Sequence, residues 1–382
     1  MPFLLLLPLL SGCSKNLVLV NAGEIEDFEI VQTVGVDLVD GELLLTAAVG
    51  ADSEGKVGVL VSSGQTVRRA MQSMQDRSEK KYIFFGETQS FLIGEEAASR
   101  DISVYLETVE RGIDMRLDTK VYIVRGSTAA EAITAASTQE RSVNERLRAI
   151  EEDVHLSSEC FVTSVGQAAE SLAEDGCAIL AALELAEREE VLEEGAMTVQ
   201  VPGYALIRKG VLRGFVTGDE ARGLTLLNNE ARMDIVEVPD GAGGLASVEL
   251  TGADCRFEPV FEDGRLTRLR VLAELRGNVA GMEHALDLYD PAVTAELERS
   301  FASVEAARME AALARMCAEG QDLIGAGRAL ERAHPILFRR CCAADWPAPL
   351  MEAELSLEVT ACLERTYDLG ISPASEETEE RK

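Results

Sequence analysis

Residues 30–49, IVQTVGVDLVDGELLLTAAV, carry the reading that decides the fold. Two apolar, β-branched runs, Ile30 to Val39 and Glu42 to Val49, flank Asp40-Gly41. That dipeptide accepts positive φ at both central positions of a tight turn, so the stretch is a β-hairpin. Working outward, Ser62 to Gly64 leads into a helix over Gln65 to Gln75, where Val67, Ala70, Met71 and Met74 recur at three and four residues and form one apolar stripe. Tyr82 to Ile93 reads as a strand with Gly86 as a bulge, Glu95 to Arg111 as a helix through Ile102, Leu106 and Val109, and Lys120 to Val124 as a short strand. The order β, β, α, β, α, β predicts an α+β sheet with helices on one side. From Ser127 to Glu194 the composition predicts mostly helix, its acidic runs being the wet faces.

Beyond Gly195 the pattern changes. Pro202 to Ile207 and Val211 to Thr217 around Lys209-Gly210 predict a second hairpin, followed by a short helix over Asp219 to Asn228. Met233 to Val238, Ala246 to Leu250, Cys255 to Phe261 and Leu266 to Leu275 alternate apolar and polar residues and predict a four-stranded antiparallel meander. Pro291 opens a long helix whose Leu297, Phe301, Val304, Leu313 and Met316 face the meander, with a stop at Gly320. Leu350 to Cys362 alternates as a last strand. The expected fold class is therefore α+β and multidomain, with antiparallel or mixed sheets each covered by helices and a long helix in the C-terminal part. The boundaries read from these signals are an N-terminal α+β domain over 28–198, as one unit or two subdomains, a C-terminal α+β domain over 199–370, and a polar tail over 371–382 that has too little apolar surface to order itself.

Towards the N-terminus stands MPFLLLLPLLSGC, residues 1–13. An apolar run from Phe3 to Leu10 passes into Leu10-Ser11-Gly12-Cys13. A leucine, two small residues and a cysteine form a lipobox, the cleavage and lipid-transfer signal of bacterial lipoproteins. The run is far short of the roughly 20 residues a membrane-spanning helix requires. Residues 1–12 are thus a signal peptide and Cys13 the acceptor of a covalent diacylglycerol, whose two chains hold a membrane stably at about 0.8 kcal/mol per buried methylene. No Lys or Arg precedes Phe3, where secretion signals carry positive charge; an upstream start would supply it. Residues 13–27 form the tether, and its last fourteen residues would reach roughly 45 Å if drawn out.

A net charge of −31, from 67 acidic against 36 basic residues, argues against nucleic acid, which needs Lys and Arg on its phosphates. It argues equally against adhesion to anionic lipid through a basic patch, leaving the lipid on Cys13 to hold the membrane. Seven cysteines besides Cys13 are an odd number without a CxxC, and His155, His284 and His334 lack ligand spacing, so neither a disulfide framework nor a metal is expected. Gly241-Ala242-Gly243-Gly244 precedes no helix and reads as a turn, not as a phosphate cradle. No GxSxG, HExxH or GxxxxGK[ST] occurs, and no catalytic residue is assigned.

One ordered set of features resembles a known family. The lipobox at Cys13, Thr33-Val34-Gly35-Val36-Asp37, the Tyr82-to-Ile93 segment with its Gly86-Glu87 step, Gly203-Tyr204-Ala205 with Gly210 and Gly214, and Asp322-Leu323-Ile324-Gly325-Ala326-Gly327 leading to His334-Pro335 and Trp346 are similar to the Ger(x)C spore germination lipoproteins, the C subunits of nutrient germinant receptors. The resemblance implies a non-enzymatic subunit with no cofactor. Its lipid would hold it at the outer face of the inner spore membrane, beside an integral A subunit and a transporter-like B subunit. It names no nutrient and no nutrient-binding residue. Two other lipid-anchored classes share the N-terminal signal: a solute-binding lipoprotein of an importer, which would show two doubly wound lobes, and an extracytoplasmic enzyme, which would show a pocket with convergent polar groups.

Overall fold

The computed structural model describes residues 27–50, 58–79, 82–112, 115–137, 142–157, 160–187, 197–284 and 286–365. The N-terminal half consists of β1 (Phe28–Val39), β2 (Glu42–Val49), β3 (Gly58–Gly64), α1 (Val67–Arg77), β4 (Tyr82–Phe84), β5 (Ser90–Gly94), α2 (Glu95–Ala98), α3 (Ser103–Arg111), β6 (Lys120–Val124), α4 (Ala129–Ala136), α5 (Val143–Ser157), α6 (Val165–Glu174) and β7 (Cys177–Glu187). The remainder consists of β8 (Met197–Arg208), β9 (Val211–Thr217), α7 (Gly218–Leu227), β10 (Asp234–Pro239), β11 (Leu245–Glu262), β12 (Arg265–Met282), α8 (Pro291–Glu319), α9 (Ala326–Ala333), α10 (Pro335–Cys341), α11 (Ala348–Glu352) and β13 (Glu354–Arg365). Residues 1–12, expected to be a signal peptide, Cys13 and residues 371–382, expected to be a polar tail, lie outside the described residues.

The first sheet has nine strands in the order β3-β2-β1-β5-β6-β7-β8-β9, with β4 also on β1. Its centre, β1-β5-β6-β7, is parallel, and an antiparallel hairpin continues it on either side. The hairpin turn predicted at Asp40-Gly41 is present, with φ of 51° and 82°. Parallel strands must be joined by crossovers that place helices on the sheet faces. Here α1, α2, α3 and α6 pack on one face, and α4, α5 and α7 on the other. Helices on one side only was therefore the wrong expectation. Strands β5 and β6 are buried on both faces, which the alternation of a half-wet sheet does not describe.

Three further corrections concern single elements. Tyr82 to Ile93 is two strands, because residues 85–89 turn between them with Thr88 N–H donating to the Phe85 carbonyl at 3.1 Å. Glu95 to Arg111 is two helices, broken where Ile102 N–H leaves the helix to donate to the Gly210 carbonyl at 2.8 Å. The largest difference is β7: its CAILAALELAE lies within the segment expected to be mostly helical and is a sheet strand. The second hairpin, β8–β9, pairs with β7, so the nine-stranded sheet runs past residue 198 and that position falls inside β8.

The second sheet runs β10-β11-β12-β13, antiparallel except for β12 with β13. It holds three meander strands where four were expected: β11 continues through Thr251 to Asp254 by register shifts and does not end there. Its inner face, Val248, Leu250, Leu269, Val271 and Leu275, packs on α8 through Leu297, Phe301, Met309 and Met316. Helix α8 starts as predicted, with Asp290 Oδ1 accepting from Ala292 N–H at 2.8 Å and Pro291 in the first turn, and stops at Gly320 with φ 62°. The outer face alternates Arg and Glu: Arg268 with Glu354 at 2.7 Å, Arg270 with Glu258 at 2.9 Å and with Glu358 at 3.5 Å, and Arg256 with Glu274. A face of this composition stays wet and needs no second layer.

Candidate functional site

The residues of the signature set converge on the joints between elements. Asp37 stands at the C-terminal end of β1 and is 3% exposed. Its carboxylate accepts from the Ala129 and Ala130 amides, at 2.7 and 2.9 Å, in the first turn of α4. The helix is also closed by a capping box, Thr128 with Glu131. Glycine is required at two neighbours: a Cβ on Gly35 would stand 2.8 Å from Ile133 Cδ1, and one on Gly94 would overlap the Asp37 carboxylate. Burial pushes the Asp37 carboxyl up, while the two amide hydrogen bonds pull it back.

This position has a chemical meaning. In open sheets with parallel strands, ligands collect at the carboxyl ends of the strands, and an anion seats on the helix N-terminus found there. The crevice at this end, about 560 Å³ between Asp37, Glu95, Gly126, Thr128, Arg213 and Phe215, has its helix terminus filled by the protein's own carboxylate. The loop amide of Gly126 is likewise taken by Glu95 at 2.6 Å.

The second joint is Asp322. It is 5% exposed, and its carboxylate accepts from Ile324, Ala326 and Gly327 amides at 3.2, 3.0 and 2.7 Å and from Trp346 Nε1 at 3.2 Å. The spacing Asp-Leu-Ile-Gly-Ala-Gly thus folds one carboxylate into the start of α9, and a side chain on Gly327 would meet the Trp346 ring at 2.6 Å. Burial raises the Asp322 carboxyl against four hydrogen bonds that lower it. The Asp322 carbonyl accepts from Cys177 Sγ at 3.3 Å, which ties α9 to the start of β7. The third joint is Tyr204, fully buried, whose hydroxyl lies 2.6 Å from Thr225 Oγ1 and accepts from Phe161 N–H at 2.8 Å.

Beside Asp322 opens a groove of about 910 Å³, lined among others by Lys120, Asp175, Cys177, Asn229, Arg256 and Arg328. Asp175 pairs with Arg328 at 3.2 Å, yet burial outweighs the pair and pushes its carboxyl to about 6. Burial also pushes the Cys177 thiol up to about 12, which keeps it a protonated donor and a poor nucleophile. Asn229 is committed to the Cys255 backbone in both directions. Among the described residues no three His, Cys, Asp or Glu side chains gather as a metal set. The pairing of Asp175 with Arg328 was not legible in the sequence, since 153 positions separate the two and neither sits in a recognisable motif. Leu10, Ser11, Gly12 and Cys13 lie outside the described residues.

Comparison with known proteins gives a consistent result. A family model described as the spore germination protein N-terminal domain matches residues 21–185, and one described as spore germination B3/GerAC like, C-terminal, matches residues 202–367. Among curated proteins there is no match. The structure is similar to the crystal structure of the GerBC protein, with a TM-score of 0.58 and 14% sequence identity, covering 87% of this chain and 96% of that one. At that identity the likeness is one of fold.

Proposed function

The chain belongs to the GerAC-like spore germination family, and from that premise we propose that it is the lipid-anchored, non-catalytic subunit of a nutrient germinant receptor, held through Cys13 at the outer face of the inner spore membrane beside two integral partners. The observation that carries the reading is the ordered pair of family matches, which together run from residue 21 to residue 367. The joints support it. The chemically capable side chains of the signature set, Asp37, Tyr204 and Asp322, are each engaged by the backbone or a neighbouring hydroxyl. Their work is to fix the two sheets and their helices as one shaped body. The lipid on Cys13 raises the local concentration of that body at the membrane and makes docking to the partners effectively intramolecular.

Deleting the gene in a sporulating host that has no redundant receptor is expected to slow the loss of spore refractility after nutrient addition; normal germination would overturn the reading. Mass spectrometry of a membrane extract is expected to show diacylglycerol on Cys13. The Cys13→Ser variant is expected to leave the membrane fraction and to germinate as slowly as the deletion. Co-purification of the wild-type chain with two polytopic membrane proteins tests the assembly directly.

A further inference from the structure

The start of β1 carries an apolar patch that neither core uses. Parallel pairing sets Phe28 opposite Tyr82 and Ile30 opposite Phe84. Side chains alternate along a strand, so these four share one face of the β1–β4 ribbon. The rings are in contact, Phe28 with Tyr82 at 5.3 Å in a stacked arrangement and with Phe84 at 6.1 Å edge-on. Ile83, of the opposite parity, packs on a core, whereas Phe28, Ile30, Tyr82 and Phe84 belong to neither. Ile30 and Phe84 are 37% and 40% exposed, on a strand whose next residue, Val31, is fully buried.

We propose that this patch is a second membrane contact, with Phe28, Tyr82 and Phe84 seated among lipid headgroups next to the point where the tether reaches the folded body. The inference rests on the lipid-anchored reading of Cys13. Two observations select a lipid surface as the occupant. First, the chain between Cys13 and the described residues ends at this patch: fourteen residues separate Cys13 from Phe28, so the anchor holds these side chains within roughly 45 Å of the bilayer. Second, clustered aromatic side chains partition to the interface, where an apolar ring and a polar rim are both satisfied. A second contact at this patch fixes which face of the protein meets membrane partners.

Hydroxyl-radical footprinting tests this with the mature chain carrying a polyhistidine segment in place of Cys13, held on phosphatidylcholine–phosphatidylglycerol vesicles containing a nickel-chelating lipid. This attachment does not depend on natural lipidation, so its result is separate from the mass-spectrometric test of Cys13. Oxidation of Phe28, Tyr82 and Phe84 is expected to fall several-fold on the vesicles. Tyr289, 71% exposed on the turn before α8, serves as the unchanged reference. In the Tyr82→Ser/Phe84→Ser variant, the protection of Phe28 is expected to disappear while its circular dichroism matches the parent. Equal oxidation of the patch with and without vesicles overturns the proposal. So does protection already present in solution, whether lost on dilution, as a second copy would produce, or independent of dilution, as another segment of this chain would produce.

Discussion

Asp37 shows how one side chain decides what a crevice can do. A carboxylate at the end of a parallel strand, pointing into the first turn of a helix, satisfies two amides that would otherwise receive a ligand anion. Replacing it with alanine leaves both donors unpaired, one of them buried. Asp37→Ala is expected to cost about 2–3 kcal/mol in urea unfolding, from the loss of hydrogen bonds to a charged acceptor; Asp37→Asn, which keeps one acceptor oxygen, is expected to cost about half of that. The sequence displayed Thr33-Val34-Gly35-Val36-Asp37 as a recognisable run, but not its role. The partner amides lie 92 and 93 positions away, and local spacing carries no record of them. Asp322 was easier in principle, since its amide partners fall two to five residues ahead and form a local capping pattern. Only Trp346 and Cys177 lay beyond that reach.

At the scale of elements, α7 and α8 pack tightly at Gly223, where an added Cβ would overlap the carbonyl of Arg308. The same contact buries Glu305, which accepts from Arg222 at 3.1 Å and from Arg308 at 2.9 Å, while Arg222 also pairs with Asp234 at the start of β10. A carboxylate without solvent exposure persists only when paired in this way. Gly223→Ala is expected to destabilise the protein by about 1–3 kcal/mol, the cost of forcing apart a packed contact, read as a lower urea midpoint with an unchanged slope. Strand β7 marks the limit of element prediction from composition. Ala, Leu and Glu favour helix in isolation, but residues 181–183 are buried on both sides between β6 and β8. There the sheet supplies the backbone hydrogen bonds that a helix would have supplied, and tertiary context overrides propensity.

In the whole molecule one core is shared by the two sheets and a second lies under the other face of the first sheet, with α9 bridging to the start of β7 through Asp322, Cys177 and the Asp175–Arg328 pair. That bridge has a pH signature. Asp175 titrates at about 6 in the folded chain against 3.8 for the free group, so between those values the native state holds a proton that the unfolded state has released, and stability falls as pH rises. Near pH 4 the protonated carboxyl resembles the amide of Asp175→Asn, and the two proteins are expected to melt alike; above pH 6 the wild type is expected to have lost ground to the variant, by thermal melts across that window. Equal melting differences at both ends would overturn it. The sequence by itself determined the elements whose cause is local: the Asp40-Gly41 hairpin, the capped span of α8 and the alternation that makes the second sheet. Charge and the Leu10-to-Cys13 run set the membrane expectation, and the ordered signature set the family. The tertiary structure alone decided the parallel centre of the first sheet, helices on both its faces, the strand at Cys177–Glu187, and the joining of β8–β9 to the N-terminal sheet. The division has one physical reason: turns and caps are satisfied within a few residues, whereas strand order and the burial of a carboxylate depend on partners that only the folded chain brings together.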